Sequence, residues 1–503
     1  MSSVSRPAEA LQLPDEVKQN DHDRYLPAWN LTDIPAPVKF NFRNVLAIIG
    51  PGAIALSMSI GSGEWLAGPA SVVTYGPTVL WVVSLAIFGQ TILNMEACRY
   101  TLYTGEPIYT GYLRTWPGPK LWGWVYPLLG VLQWGWPGWA ATAATALAAL
   151  WLGRLPTNAD QGTVLVFSYI GFAVCVGVLS VGGRIERTLE LVSWFMVIWI
   201  LVFLLVVCVF LTSPASWGAI AGGFVSFGQL PANADWFLLS GFVAYAGAGG
   251  LGNTTISNWM RDKGYGMGGV VGFIPAAVGG RKINLSHNGS VFKTTPENVA
   301  RFKEWWKYLS VDQYILWMIG CFLGMGFCVL LAYHYIPAGT KLSGMAIAAY
   351  QAEGLAKVGG NILWVLTLLN GFWILFGTQL SITDGFVRTV TDILWNGSER
   401  VRTWRGGDVR AIYYVILIAF AVWGCIAMNL AQPFVLILLG ANAAGLAFLF
   451  LIAHTLYVNR KFLPKELRPP LWREVVMVLF WIFSAFFVYQ VAFYQLHTQL
   501  KWI

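Results

Sequence analysis

Long apolar runs separated by short polar or basic stretches dominate this chain. A helix needs roughly 20 apolar residues to cross a hydrocarbon core. Runs of that order fall at about 44–74, 77–101, 121–151, 161–182, 186–212, 235–260, 312–337, 359–395, 409–428, 432–458 and 472–497, eleven in all. They predict an all-α integral membrane protein. Two runs are interrupted. The first, Gly50 to Gly76, is broken by Gly61-Ser62-Gly63 with Glu64 next in line, and the sixth, Phe237 to Arg261, contains the glycine-rich stretch Tyr245 to Thr255. Unwound backbone at mid-membrane depth survives only if it is buried in protein or lines a cavity. A lone break reads most simply as a glycine kink in a packed helix. Two breaks five runs apart predict a five-plus-five inverted repeat, with helices 1 and 6 unwound face to face and helix 11 as an addition.

Composition agrees. The 503 residues are 56% hydrophobic and 11% charged, with a mean hydropathy of +0.59, whereas soluble domains carry about 25% charged residues. Residues 1–43 read as a polar tail with no short cleavable signal, 44–458 as a ten-helix core, and 459–503 as helix 11 and the C-terminus. Within the core, repeat one runs over about 44–212 and repeat two over about 235–458, with the long loop 261–311 as a connector. If the tail is inside, the inside loops hold 22 Lys and Arg and the outside segments hold four, Arg154, Lys341, Lys357 and Lys501. Lys and Arg accumulate on the cytoplasmic side. The expectation is therefore a multi-pass protein of the cell's inner (plasma) membrane, N-terminus cytoplasmic and C-terminus outside. The basic residues sit in loops between spans, which argues against a nucleic-acid partner. The six cysteines lie within or at the ends of spans without disulfide or zinc spacing. No nucleophile–base pair or phosphate loop emerges, so neither an enzyme nor a resident cofactor is expected.

Gly50-Pro51 through Trp65 resembles, without a gap, the first-helix signature of the Nramp metal-ion transporters, which runs Gly-Pro, then Asp-Pro-Gly-Asn, then Trp. Similar wording recurs in Gln90…Arg99…Thr104-Gly105, in Gly183-Arg184-Ile185-Glu186 and in Gly377 to Gly385. The resemblance covers about residues 44–458 and implies a LeuT-like fold. The family's functional residues are replaced. Gly61 stands where the family has its metal-binding Asp, Ser62 where it has Pro, and Glu64 where it has its metal-binding Asn; only Gly63 is kept. Leu251-Gly252-Asn253 takes the place of Met-Pro-His in the sixth helix, and no acidic residue occurs between Pro107 and Ala159.

Mn²⁺, Fe²⁺ and Zn²⁺ favour imidazole, thioether or several carboxylates, and this pair of breaks offers one carboxylate and a few hydroxyls. A small anion fits better. Helix N-termini expose unpaired N–H groups and a partial positive charge. The candidate substrate site comprises Gly61, Ser62, Gly63, Gly249, Gly250, Gly252, Asn253, Thr254 and Thr255, the glycines permitting close approach and the side chains donating hydrogen bonds. The bland alternative is that these glycines only allow close helix packing. Glu64 and Asp384 are the candidates for holding a coupling H⁺ or Na⁺. These features predict a secondary transporter of a small inorganic anion, bicarbonate first. The alternatives are a Mg²⁺ or Mn²⁺ transporter using Glu64, and a non-transporting membrane sensor or scaffold. Elsewhere, Glu96 with Arg99 and Asp384 with Arg388 have helical pairing distances, and the Trp134-to-Trp139 cluster reads as packing, with a cavity wall as the alternative.

Overall fold

A computed structural model describes residues 25–281, 283, 285–340, 346–430 and 432–494. Residues 1–24 of the predicted tail, Lys282, Lys341 and the stretch 495–503 with Lys501 lie outside the described residues. The fold is all-α apart from one pair of two-residue strands, Asn30–Leu31 and Ser290–Val291. Among the described residues eight helices are long and apolar enough to cross a membrane, or nine with the bent pair Phe42–Ile48 and Pro51–Tyr75. This differs from the eleven predicted spans because two more are split. Pro119–Trp134 is followed by Gly138–Leu152, and Trp236–Ala244 by Leu251–Lys263.

The first break falls where the sequence puts it. Helix Pro51–Ser59 ends at Ile60, and the chain resumes as a π-turn at Gly63–Ala67 that runs into Gly68–Tyr75. The sixth span opens over 245–250, where Gly247, Gly249 and Gly250 have φ of 131°, 68° and 47°, angles that L side chains rarely adopt. The break in the third span was not anticipated. It lies at Gly135-Trp136-Pro137, where proline removes a backbone donor and ends the first half. Span 8 is preceded by an unpredicted helical stretch, 346–358, joined to it through Gly359 and Gly360.

The loops sort to two ends, as alternating spans require. Asn30–Leu31 pairs with Ser290–Val291, Val181 bridges to Val278, Arg410 bonds the Gly280 carbonyl, and Arg99 reaches the Leu467 carbonyl. The described part of the tail, the 261–311 loop and the basic loops after spans 4, 8 and 10 therefore share one end. The loop is more than a connector. Its helix Pro296–Ser310 clamps the incoming chain through Arg301 to the Ile34 carbonyl, Trp305 to that of Pro35 and Tyr308 to that of Val38. At the opposite end Gly339 N–H bonds the Val73 carbonyl, and the Tyr75 hydroxyl accepts from Asp235 N–H.

Candidate functional site

The two predicted breaks touch. A Cβ placed on Gly63 would lie 1.9 Å from the Tyr245 carbonyl oxygen, and one on Gly61 would lie 2.4 Å from the Thr378 hydroxyl. Only glycine lets the two main chains, and the Thr378 side chain, approach this closely. Between them sits a small cavity lined by Ser59, Ser62, Gly63, Tyr245, Gly247 and Thr378, with Trp139 on one wall. It offers about 10 Å³ to the centre of a water-sized sphere, enough for one water. Trp139 Nε1 donates to Ser62 Oγ at 2.9 Å, so the unanticipated third break brings an indole N–H to the site. The tryptophan cluster is thus part of the cavity wall as well as packing.

Glu64 is fully buried. Its Oε2 accepts from Gly61 N–H at 3.0 Å, and the Gly247 amide of the other break also faces the carboxylate. The other oxygen, Oε1, has no partner. The carboxylate therefore stands where amides from both breaks converge.

The remaining predicted residues divide. Ser62 and Gly63 line the cavity, and Gly61 lies beside it, against Thr378 and bonded to Glu64. The start of helix Leu251–Lys263 is not bare. Gly249 N–H donates to Gln90 Oε1 at 3.1 Å, and Leu251 N–H to Gln133 Oε1 at 3.0 Å, so these amides are already satisfied. A Cβ on Gly250 would lie 2.4 Å from that Gln133 oxygen, and one on Gly252 2.9 Å from Met58 Cε, so both glycines serve close packing. Thr254 is bonded to the Tyr109 hydroxyl at 2.8 Å and Thr255 to Thr389 at 3.1 Å, which turns both away from the cavity. Asn253 Nδ2 donates to Asn94 at 2.8 Å, while its Oδ1 is buried without a partner. Asp384 takes four hydrogen bonds, two from Arg388 at 2.9 Å and one each from Trp259 and Tyr413 at 2.6 Å. Its lone pairs are occupied, which leaves no free oxygen for the Na⁺ envisaged there.

Gln90 and Gln133 were missed as site residues, and Trp139, in a cluster that the sequence left between cavity wall and packing, lines the cavity. A single amide inside an apolar run is a usable signal for the first two, because such groups rarely sit in lipid unpaired.

Two regions flank the site. Towards the end that carries Gly339 and Asp235, a cavity of about 520 Å³ is lined by Trp65, Thr142, Thr145, Gly371, Leu375 and Phe434, among others. Trp65 and Leu375 border it, and Gly63 and Thr378 of the same segments border the small cavity, so the larger space ends where the smaller begins. Towards the other end lies a buried ion-pair network. Arg388 bridges Asp384 and Asp262, and Arg261 bridges Asp262 and Asp392, the last pair at 2.6 Å. Lys263 pairs with Glu190, which also takes Arg187 at 2.8 Å. Glu96 binds Arg99 at 2.6 Å and Arg473 at 3.1 Å.

No protein-family model matches this chain. An uncharacterized protein of Pasteurella multocida is 27% identical over 157 residues, which is 31% of this chain and 34% of that protein. The chain thus matches about a third of that relative's length. Among solved structures, two variants of the manganese transporter of Eremococcus coleocola superpose with TM-scores of 0.60 and 0.61 at 15% and 14% identity. Each alignment covers 92% of this chain and 90% of the other. The chain shares the fold of these manganese transporters.

Proposed function

We propose that this protein is a secondary active transporter of a small inorganic anion, bicarbonate being the best candidate, working by alternating access coupled to H⁺ or Na⁺. The observation that carries the reading is the contact of two helix breaks around a cavity whose lining is rich in donors. Gly247, the Trp139 indole and the Ser62 hydroxyl line it, and the Gly61 amide binds Glu64 beside it. The ion-pair network closes one end of the molecule while the 520 Å³ space leads from the other, the asymmetry expected of one state in an alternating cycle. We assign the closed end to the cytoplasm of an inner (plasma) membrane, because the basic loops gather there.

Glu64 supplies the coupling. An anion about 5 Å from an ionised carboxylate, at an effective dielectric constant of about 20, is repelled by roughly 3 kcal/mol. That is about a hundredfold in affinity. The anion therefore enters together with a proton or Na⁺ on the free Glu64 oxygen.

The unpartnered Oε1 of Glu64 also favours a second reading, a Mg²⁺ or Mn²⁺ carrier. The manganese transporters sharing this fold are consistent with it. Glu64→Gln separates the two. In an anion carrier the variant keeps bicarbonate counterflow exchange and loses cation-driven accumulation. In a metal carrier it loses metal uptake outright, and that result, with bicarbonate exchange absent from both proteins, would overturn the proposal. A sensor or scaffold would move neither solute.

A further inference from the structure

A second fully buried carboxylate, Asp312, lies outside the site just described, at the start of span 7. Its Oδ1 accepts from Gly50 N–H at 3.1 Å, at the start of helix Pro51–Ser59. Its Oδ2 accepts from Gln313 Nε2 at 2.8 Å. From there a chain of side-chain amides runs inward. Asn94 Nδ2 donates to Gln313 Oε1 at 2.9 Å, and Asn253 Nδ2 donates to Asn94 Oδ1 at 2.8 Å. All of these residues are buried. The chain ends on the first turn after the sixth-span break, with Asn253 Oδ1 unpaired.

The amide contacts fit either of two polarities, and one of them puts the donor on the Asn253 side with an ionised Asp312 as the final acceptor. That polarity leaves one defect in the middle. Asn94 Oδ1 faces the main-chain oxygens of Gln90 and Asn253, each 3.1 Å away, so three acceptors crowd together. Turning the Asn94 amide over converts both contacts into N–H···O bonds. Its oxygen then faces Gln313 Oε1 at 2.9 Å, so Gln313 must turn as well. A turned Gln313 presents its carbonyl to Asp312 Oδ2, where only a protonated carboxyl can donate. The Asn253 amide turns last, giving its oxygen to Asn94 and moving its N–H₂ to the position now held by the orphan oxygen.

We propose that Asp312 is a proton-binding residue whose charge state is relayed through Gln313 and Asn94 to the orientation of Asn253 at the helix break. With Asp312 ionised, Asn253 presents a carbonyl oxygen at its unpaired position. With a proton taken from water at the loop 261–311 end, it presents a donor there. The ionisable groups around Asp312 are Lys263 at the end of the sixth-span helix, Tyr265 in the following turn, Cys98 and Glu96 of span 2, and Glu186 and Glu190 of span 5. The Glu190 carboxyl lies against Gly50, and Asp312 itself against Gly52. The relay rests on the site reading only in that Asn253 adjoins the break. It does not depend on which solute moves.

The test is infrared difference spectroscopy on the purified full-length protein, recorded as pH is lowered, with no substrate added. Wild type is expected to gain a protonated-carboxyl C=O band together with a shift of the Asn and Gln side-chain amide bands. Asp312→Asn should lose the amide shift and its share of the carboxyl band, and Glu64→Gln should retain the amide shift. Gln313→Leu should keep the carboxyl band and lose the amide shift, a separation that mere misfolding would not give. The proposal is overturned if adding Asp312→Asn to Glu64→Gln leaves the carboxyl band undiminished, or if the amide shift survives in Gln313→Leu. Either failure leaves the anion reading standing, and absence of bicarbonate flux leaves the relay standing.

Discussion

Adding one methyl group at Gly63 is the sharpest perturbation of the site's architecture. Its Cβ would lie 1.9 Å from the Tyr245 oxygen and 2.6 Å from its carbonyl carbon, against a practical lower limit of 3.0 Å. Main chain meets main chain here, so no rotamer relieves the clash. The two breaks must separate by at least about 1.1 Å, the difference between 3.0 and 1.9 Å. Overpacking costs about 1–3 kcal/mol, and a rigid partner puts Gly63→Ala at the upper end. Removing a helical glycine returns about 0.5–1 kcal/mol, so the net loss is about 2 kcal/mol. A displacement near 1 Å at a positioning site lowers rates on the order of 100-fold. Gly171→Ala is the matched control, since nothing lies within 4 Å of a Cβ there. Thermal melts and bicarbonate counterflow of the two purified variants provide the assay. Gly63→Ala should melt earlier and exchange slowly while Gly171→Ala matches or exceeds wild type. If Gly63→Ala melts and exchanges like wild type, the breaks do not meet as described and the reasoning fails.

The ion-pair network and the loop carboxylate make further predictions. Arg388→Leu leaves Asp262 and Asp384 buried without their guanidinium and should cost about 3–5 kcal/mol; an unchanged melting temperature would refute that. Glu106 follows span 2 and is bonded by Arg114, by the Tyr100 hydroxyl and by Gly289 N–H. Burial alone would raise its pKa, but the Arg114 charge and hydrogen bonds outweigh it and hold the group below the ordinary 4.5. Its contribution to stability is therefore fully present above pH 4.5 and fades as pH falls through the lower folded value. Melts of wild type and Glu106→Gln should differ at neutral pH and converge in acid, and a constant gap would contradict the assignment.

How much was legible in the sequence depended on how local each signal is. The breaks in spans 1 and 6 are written in glycines within long apolar runs; positive φ explains those of span 6, and close approach those of span 1. The third break was equally local in Gly135-Trp136-Pro137. It passed unnoticed because proline is tolerated in membrane helices whenever neighbours satisfy the freed groups, as Trp423 does for the Gly135 carbonyl at 2.8 Å. The site's finer wiring was not legible. Gln90 and Gln133 reach the sixth-span amides from more than a hundred residues away, so the helix start that looked bare is capped. Asp384 read as free beyond its i+4 arginine because Trp259 and Tyr413 arrive from other spans. Asp312 is the first residue of a predicted run and was not singled out, and only its contacts with Gly50 and Gln313 give it an interior position.

The central claim is that the two joined breaks carry a small anion together with a cation that neutralises Glu64. Flux into proteoliposomes of the purified protein, with labelled bicarbonate and Mn²⁺ offered in parallel and the pH and Na⁺ gradients imposed separately, tests it most directly. The account predicts saturable bicarbonate accumulation driven by one of the two gradients and no Mn²⁺ uptake above protein-free vesicles. Ready Mn²⁺ uptake with bicarbonate ignored under every gradient would contradict it.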